Sequence, residues 1–238
     1  MITDLRGKYK MSQSSITVVD DPHAHGGEQH DPNLQHHFAT REQQMDASKI
    51  GMWLFLATEI LLFGGLFVGF GLMQAKFPEA FVQAHHHLDK NLGFLNTVVL
   101  LISSFTMVMA VHCAKTNQRR KLIVNLIITL VCAAIFLCVK YFEYEHKFHE
   151  GLLPGQFYSH KGDTVPNQFV FFSFYFMMTG LHGIHILGGM AAIGWVLLRS
   201  LKDDFNSTYY TPVDLVGLYW HLVDLIWIYL FPLLYLIS

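Results

Sequence analysis

Charge is scarce in this chain. Asp, Glu, Lys and Arg make up 14% of its 238 residues, against 52% hydrophobic residues and 14% aromatics. Soluble domains carry about a quarter charged residues. The formal net charge of −2 gives no electrostatic reason to expect nucleic acid as a partner. Cysteine is scarce too. Cys113, Cys132 and Cys138 all lie in apolar stretches, and no CxxC or Cys/His metal spacing occurs. Cys132 and Cys138 stand six apart in one apolar run, about 9 Å on a helix and too far to bridge. Alternation of polar and apolar residues is missing as well; the apolar runs are continuous, which excludes a β-barrel. The first such run begins at Ile50, too late for a cleavable signal.

What is present is five long apolar spans, at 50–73, 93–114, 122–142, 169–198 and 213–237. Each reaches the roughly 20 residues a helix needs to cross the hydrocarbon core. The fold class is therefore all-α: one polytopic membrane bundle of five transmembrane helices. Pro78, the run Asn117-Gln118-Arg119-Arg120, Pro154-Gly155, Pro166 and Asp203-Asp204 with Pro212 mark the turns. Residues 1–49 form a polar tail with His23, His25, His30, His36 and His37, broken by Pro22, Gly26, Gly27 and Pro32. It is expected to be a mobile, solvated segment, and His85, His86 and His87 in a connecting loop are expected to be solvated likewise.

Lys and Arg set the orientation. The tail, the second loop and the fourth loop hold eleven of them, and the other side holds five (Lys76, Lys90, Lys140, Lys147, Lys161). The positive-inside rule then puts the N-terminus in the cytoplasm and the C-terminus outside. Small residues suggest helix packing: Gly65 and Gly69 form a GxxxG, and the fourth span carries Gly180, Gly183, Gly188, Gly189 and Gly194.

Ionisable residues inside the spans cost about 2.5–3.5 kcal/mol each to insert and usually face other helices. The last span, VDLVGLYWHLVDLIWIYLFPLLYLI, holds His221 and Asp224 three apart on one helical face. Glu59, His112, His182 and His185 lie in three other spans. Helical rise places Glu59, His185, His221 and Asp224 within about one turn of a common depth, so they are expected to form one connected layer. His185 is the expected partner of Glu59, with His221 second. A metal or haem site, a proton path and a structural network are the three readings of this layer. The di-iron pattern of two Glu-x-x-His helices is absent, and the spans show too few polar faces for a free-standing channel. On residues alone the structural network is favoured. Lys140 and Glu143, spaced i, i+3 at the outer end of the third span near His146, are expected to pair at the interface with little effect on stability.

Four motifs carry a family resemblance. Tyr219-Trp220-His221-Leu222-Val223-Asp224-Leu225-Ile226-Trp227 resembles the YWHFVDVVW signature of subunit III of haem–copper oxidases. Thr179-Gly180-Leu181-His182-Gly183-Ile184-His185 is similar to that family's TGxHGxH helix, and Trp53-Leu54-Phe55-Leu56-Ala57-Thr58-Glu59 to its helix with a buried glutamate. Phe142-Glu143-Tyr144-Glu145-His146 resembles its EYxH segment. The motifs keep order and spacing from about Gly51 to Leu236.

The resemblance implies the five-span form of a subunit of an aerobic terminal oxidase in a bacterial plasma membrane. It implies no catalytic residue, cofactor or metal in this chain, with haem and copper in partner subunits I and II. The implied roles are stabilising subunit I, holding phospholipid and supporting proton uptake, with Glu59 as the buried carboxylate and cytochrome c as donor. Quinol oxidases share the subunit type, and a related five-span protein accompanies some nitric oxide reductases. A proton-conducting membrane protein is the alternative of another class. The histidine-rich tail lies outside the family pattern, and so does Pro232, which should kink the last helix or leave a carbonyl free.

Overall fold

The computed structural model describes residues 35, 38–154, 158 and 166–236. The histidines at positions 23, 25, 30, 36 and 37, Lys161 and the Gly155 half of the Pro154-Gly155 turn lie outside them. Among the described residues six helices run in chain order: α1 (Arg41–Lys76), α2 (Pro78–Ala84), α3 (Lys90–Lys115), α4 (Arg119–His149), α5 (Gln168–Ser200) and α6 (Thr211–Tyr235), with a 3₁₀ turn at His85–His87 after α2. No strand occurs among the described residues, only two isolated bridges. Five of these described helices are long and apolar enough to cross a membrane.

The five expected spans correspond to α1 and α3–α6, and most helices run past their apolar runs. The largest extension is at the start of α1. Thr40 caps it, accepting from the Gln43 backbone N–H at 3.2 Å. The Gln43 side chain reaches back to accept from the Ala39 N–H at 3.0 Å. This reciprocal cap stabilises a helical start in polar sequence, so residues 41–49 belong to α1 and not to a tail. Asp89 caps α3 in the same way, accepting from the Asn91 N–H at 2.9 Å. Pro78 and Pro212 stand in the first turns of α2 and α6, where a missing N–H costs nothing. Pro232 lies inside α6, which still continues to Tyr235.

Helix α2 is a correction. Pro78 reads as a turn, yet it opens a helix whose Phe81 and Ala84 are fully buried. Phe81 packs edge-on against Phe70 of α1 and Phe171 of α5, at 5.0 and 5.5 Å between ring centroids. His85 follows it inside, and only His86 of the three histidines is exposed. Burial, with His86 close by, holds the His85 imidazole below its ordinary value of 6.5. The expectation of a solvated histidine loop therefore fails at His85.

Helix α6 is the hub: it packs against α3, α5 and α1, and α4 closes the ring by packing on α3 and α5. Within its apolar window, 44% of α6 is buried, against 17% of α1, which lies on the outside of α5 and α6. The loops sort onto two faces. Asn117, at φ 57°, donates to Ser207 Oγ at 3.1 Å and accepts from its backbone N–H at 2.6 Å, tying the α3–α4 turn to the α5–α6 loop. Arg119 donates to the carbonyl of Ser200, and Arg41 to that of Thr208. These contacts define one face, called here the N-terminal face. The opposite face holds α2 and the ends of α4 and α6.

Glycine packing also departs from expectation. A Cβ at Gly65 or Gly183 would meet nothing within 4 Å. At Gly69, Gly180 and Gly188 it would make ordinary contacts of 3.4–3.8 Å. The close approaches lie at Gly189, where a Cβ would sit 2.6 Å from the Trp220 ring, at Gly93 (2.9 Å from Phe231) and at Gly217 (3.0 Å from Val111). The GxxxG pattern does not set the helix contacts inside this chain; single glycines opposite large side chains do.

Candidate functional site: two polar clusters and two orphaned side chains

Glu59 on α1 and His185 on α5 meet as expected, Oε2 to Nε2 at 2.8 Å. The other ring nitrogen, Nδ1, lies 2.8 Å from the Leu181 carbonyl. A carbonyl only accepts, so Nδ1 carries a proton. One proton is then shared between Nε2 and the carboxyl: the pair is imidazolium with carboxylate, or imidazole with carboxylic acid. Each side chain keeps 14% of its surface exposed. Phe63 packs edge-on against the imidazole at 5.2 Å, and Tyr219 of α6 donates to the His185 carbonyl at 3.0 Å.

The expected single layer does not form. His221 on α6 bonds through Nδ1 to Ser104 of α3 at 2.8 Å, away from Glu59. His182 is fully buried between Trp227, stacked at 5.3 Å, and Phe136, edge-on at 5.6 Å, and neither ring nitrogen has a hydrogen-bond partner. Asp224 is 2% exposed, and both its carboxyl oxygens lack a partner in bonding geometry. Glu59 with His185 lies between α1 and α5, whereas His221 turns to α3 and His182 to Phe136 and Trp227. Three residues along a helix also turn a side chain about 60° around its axis, because 3.6 residues make one turn. His182 and His185 therefore look into different interhelical spaces.

A second cluster is fully built. Lys140 of α4 donates to Glu143 Oε2 at 2.9 Å, to the Tyr235 hydroxyl of α6 at 2.8 Å and to the Tyr175 hydroxyl of α5 at 3.4 Å. Those two hydroxyls donate in turn to Glu143 Oε1, at 2.9 Å from Tyr175 and 2.5 Å from Tyr235. All three ammonium protons are used and both carboxylate oxygens are satisfied. The Trp227 ring lies 4.9 Å from Nζ and adds a cation–π contact. Lys140 and Glu143 are 7% and 4% exposed. The expected interfacial pair is thus a core pair, because Tyr175 of α5 and Tyr235 and Trp227 of α6 close over it. His146 is not part of it; the side chain is largely exposed and pairs with Glu150 at 3.1 Å. Lys147 is the buried neighbour, reaching the His87 carbonyl and Glu150. The i, i+3 spacing signalled half of this cluster. Tyr175 and Tyr235 come from helices distant in sequence and carried no signal.

Among the described residues, no group of three or more His, Cys, Asp or Glu side chains is arranged to hold a metal ion. His185 faces a carboxyl, His221 a hydroxyl and His182 aromatic rings.

The comparisons with known proteins extend over nearly the whole chain. The family model described as "Cytochrome c oxidase subunit III" matches residues 33–238. A protein named probable cytochrome c oxidase subunit 3 from Nocardia farcinica is 30% identical over 188 residues, covering 79% of this chain and 87% of that one. A quinol oxidase subunit 3 from Bacillus spizizenii is 30% identical over 203 residues, covering 84% and 93%. A probable quinol oxidase subunit 3 from Staphylococcus saprophyticus is 28% identical over 198 residues, covering 83% and 92%. Five apolar helices, buried carboxyl and histidine groups in register with the family motifs, and a family match over residues 33–238 agree: this multi-pass membrane chain belongs to the cytochrome c oxidase subunit III family.

Proposed function

We propose that the chain is the non-redox third subunit of an aerobic haem–copper oxidase in a bacterial plasma membrane. The family match over residues 33–238 carries this reading. On it, the haems and copper reside in partner subunits. The apolar helix faces left uncovered here, such as Leu61 and Leu62 on α1 and Phe94 and Phe105 on α3, meet phospholipid and subunit I. The bundle stabilises subunit I and supports proton uptake, with Glu59 as the buried acid. The Lys/Arg asymmetry supports a cytoplasmic N-terminal face and a C-terminus outside.

Cytochrome c is the proposed donor. A quinol donor is the second reading, favoured by the relatives named quinol oxidase subunit 3. Purification of the complex through a tag on this chain decides between them. A haem-containing subunit I should co-purify, and the separated chain should carry neither haem nor a stoichiometric metal. A copper-binding subunit II in the same complex points to cytochrome c, and a copper-free one to quinol. If the chain purified alone and conducted protons in lipid vesicles, the oxidase assignment would fail. Orientation is tested by single cysteines at exposed Lys202 and His86, which lie on opposite faces. An impermeant reagent applied to intact cells should label the one at 86 and spare the one at 202.

A further inference from the structure

The side of the bundle where α3 meets α6 carries a polar stripe that the subunit's proposed role leaves unused. It begins at the N-terminal face with the Lys115–Asp214 ion pair, 3.1 Å apart. Between these two helices opens a groove of about 290 Å³, whose lining includes His112 next to that pair and His221 deeper in. Gly217 lies along it, and a Cβ there would meet Val111 at 3.0 Å, so the glycine sets the close spacing of the two helices. His221 at the inner end bonds to Ser104. Beyond Ser104 lies Asp224, one helical turn past His221. Ser104 of α3 and Cys132 of α4 are close enough to its carboxyl to interact with it electrostatically.

Asp214, His221 and Asp224 stand at intervals of seven and three on α6, so they share one face. Each polar side chain placed in a membrane helix is costly. A structural pin recovers that cost through hydrogen bonds, as Glu143 does. Asp224 recovers little in this arrangement: neither oxygen has a partner in bonding geometry at 2% exposure, and Ser104 beside it is the group that interacts with it. The Ser104 hydroxyl is the hinge between the two groups. Its oxygen can accept from His221 Nδ1–H, which leaves its own single proton free to be donated elsewhere.

We propose that the α3–α6 groove is a proton route from the N-terminal face to Asp224, with His221 and Ser104 as the relay. The starting tautomer of His221 has its proton on Nδ1, donated to Ser104 Oγ. A proton from water in the groove binds Nε2. The Nδ1 proton passes to Ser104 Oγ, and the hydroxyl, turned about χ1, gives its original proton to the Asp224 carboxylate. The imidazole ends neutral in its other tautomer. Each N–H or O–H bond that breaks is replaced by one that forms, and the net change is one proton moved from water to Asp224.

The test uses the intact purified complex at rest, so it depends on neither the electron donor nor turnover. Infrared spectroscopy in D₂O follows the protonated-carboxyl band that Asp224→Asn removes. Aspartate-selective isotope labelling of the wild type supplies the same assignment if that variant assembles poorly. The band should exchange promptly in the wild type. Ser104→Ala should slow exchange about a hundredfold, the low end of what a positioned proton-transfer group contributes, and Ser104→Thr should restore it. His221→Phe should slow it as Ser104→Ala does. Equal exchange rates in wild type, Ser104→Ala and His221→Phe would overturn the proposal. So would a wild-type band that does not exchange, which would mean that a partner seals the groove, or the absence of any Asp224-dependent band.

Discussion

The Lys140–Glu143 cluster and the Glu59–His185 pair each join a base to a carboxyl inside the same bundle, yet they are built on different terms. Around Lys140 and Glu143 every donor and acceptor is used, and three helices contribute. Glu59 and His185 share one short contact between two helices and keep 14% of each side chain open. The first arrangement resists change, because removing any member leaves a buried charge unanswered. The second leaves a proton free to reside on either partner and a path by which the surroundings reach it. A polar group in a membrane bundle is therefore not assigned a role by its depth or charge. The completeness of its hydrogen bonding separates a pin from an exchangeable site.

The largest expected effect comes from breaking the closed cluster. Lys140→Met should destabilise the bundle by about 3–5 kcal/mol, since Glu143 is left as an uncompensated buried charge. Thermal unfolding of the helical signal in detergent measures it. Adding Glu143→Gln should recover most of the loss, and a double variant as unstable as the single one would show that packing, not charge, holds the site.

Gly189→Ala tests the backbone contact behind the same α5–α6 seam. Its Cβ would press into the Trp220 ring, which should cost about 1–3 kcal/mol. Gly65→Ala meets nothing and should gain about 0.5–1 kcal/mol of helix preference. If Gly65→Ala instead weakened only the assembled complex, a partner helix would lie against that face.

Glu59→Ala removes half of the open pair and should cost about 1–3 kcal/mol, less than the closed cluster loses. The oxidase should shed this subunit more readily in detergent while its haem spectrum stays unchanged. Turnover that stopped with assembly intact would instead show an obligatory proton path through Glu59. A hydrophobic carbodiimide should modify Glu59 in preference to Glu143, whose side chain is only 3% exposed; equal labelling would erase the distinction between open and closed sites.

The smallest effect concerns His85. Burial lowers its proton affinity in the folded chain relative to the unfolded one. Its contribution is present above the unfolded value of about 6.5 and is lost as pH falls from there through the folded value. His85→Leu should flatten the acid side of a plot of melting temperature against pH. An unchanged acid limb would show that His85 does not titrate across unfolding.

The sequence by itself determined that five of the described helices are long and apolar enough to span a membrane, and the meeting of Glu59 with His185. Length of apolar run and rise per residue suffice for those. It did not determine which groups connect. In lipid, the outside of a helix is as apolar as its inside, so hydrophobicity does not mark the buried face. Leu61, 75% exposed, and Phe63, 1% exposed, stand two residues apart on α1 and look alike in sequence. Only the tertiary structure decided that His221 turns to Ser104, that Asp224 and His182 stay unpartnered, and that Tyr175 and Tyr235 close around Lys140. Each of these depends on the rotation of one helix against its neighbours, and close contacts such as Gly189 against Trp220 fix that rotation.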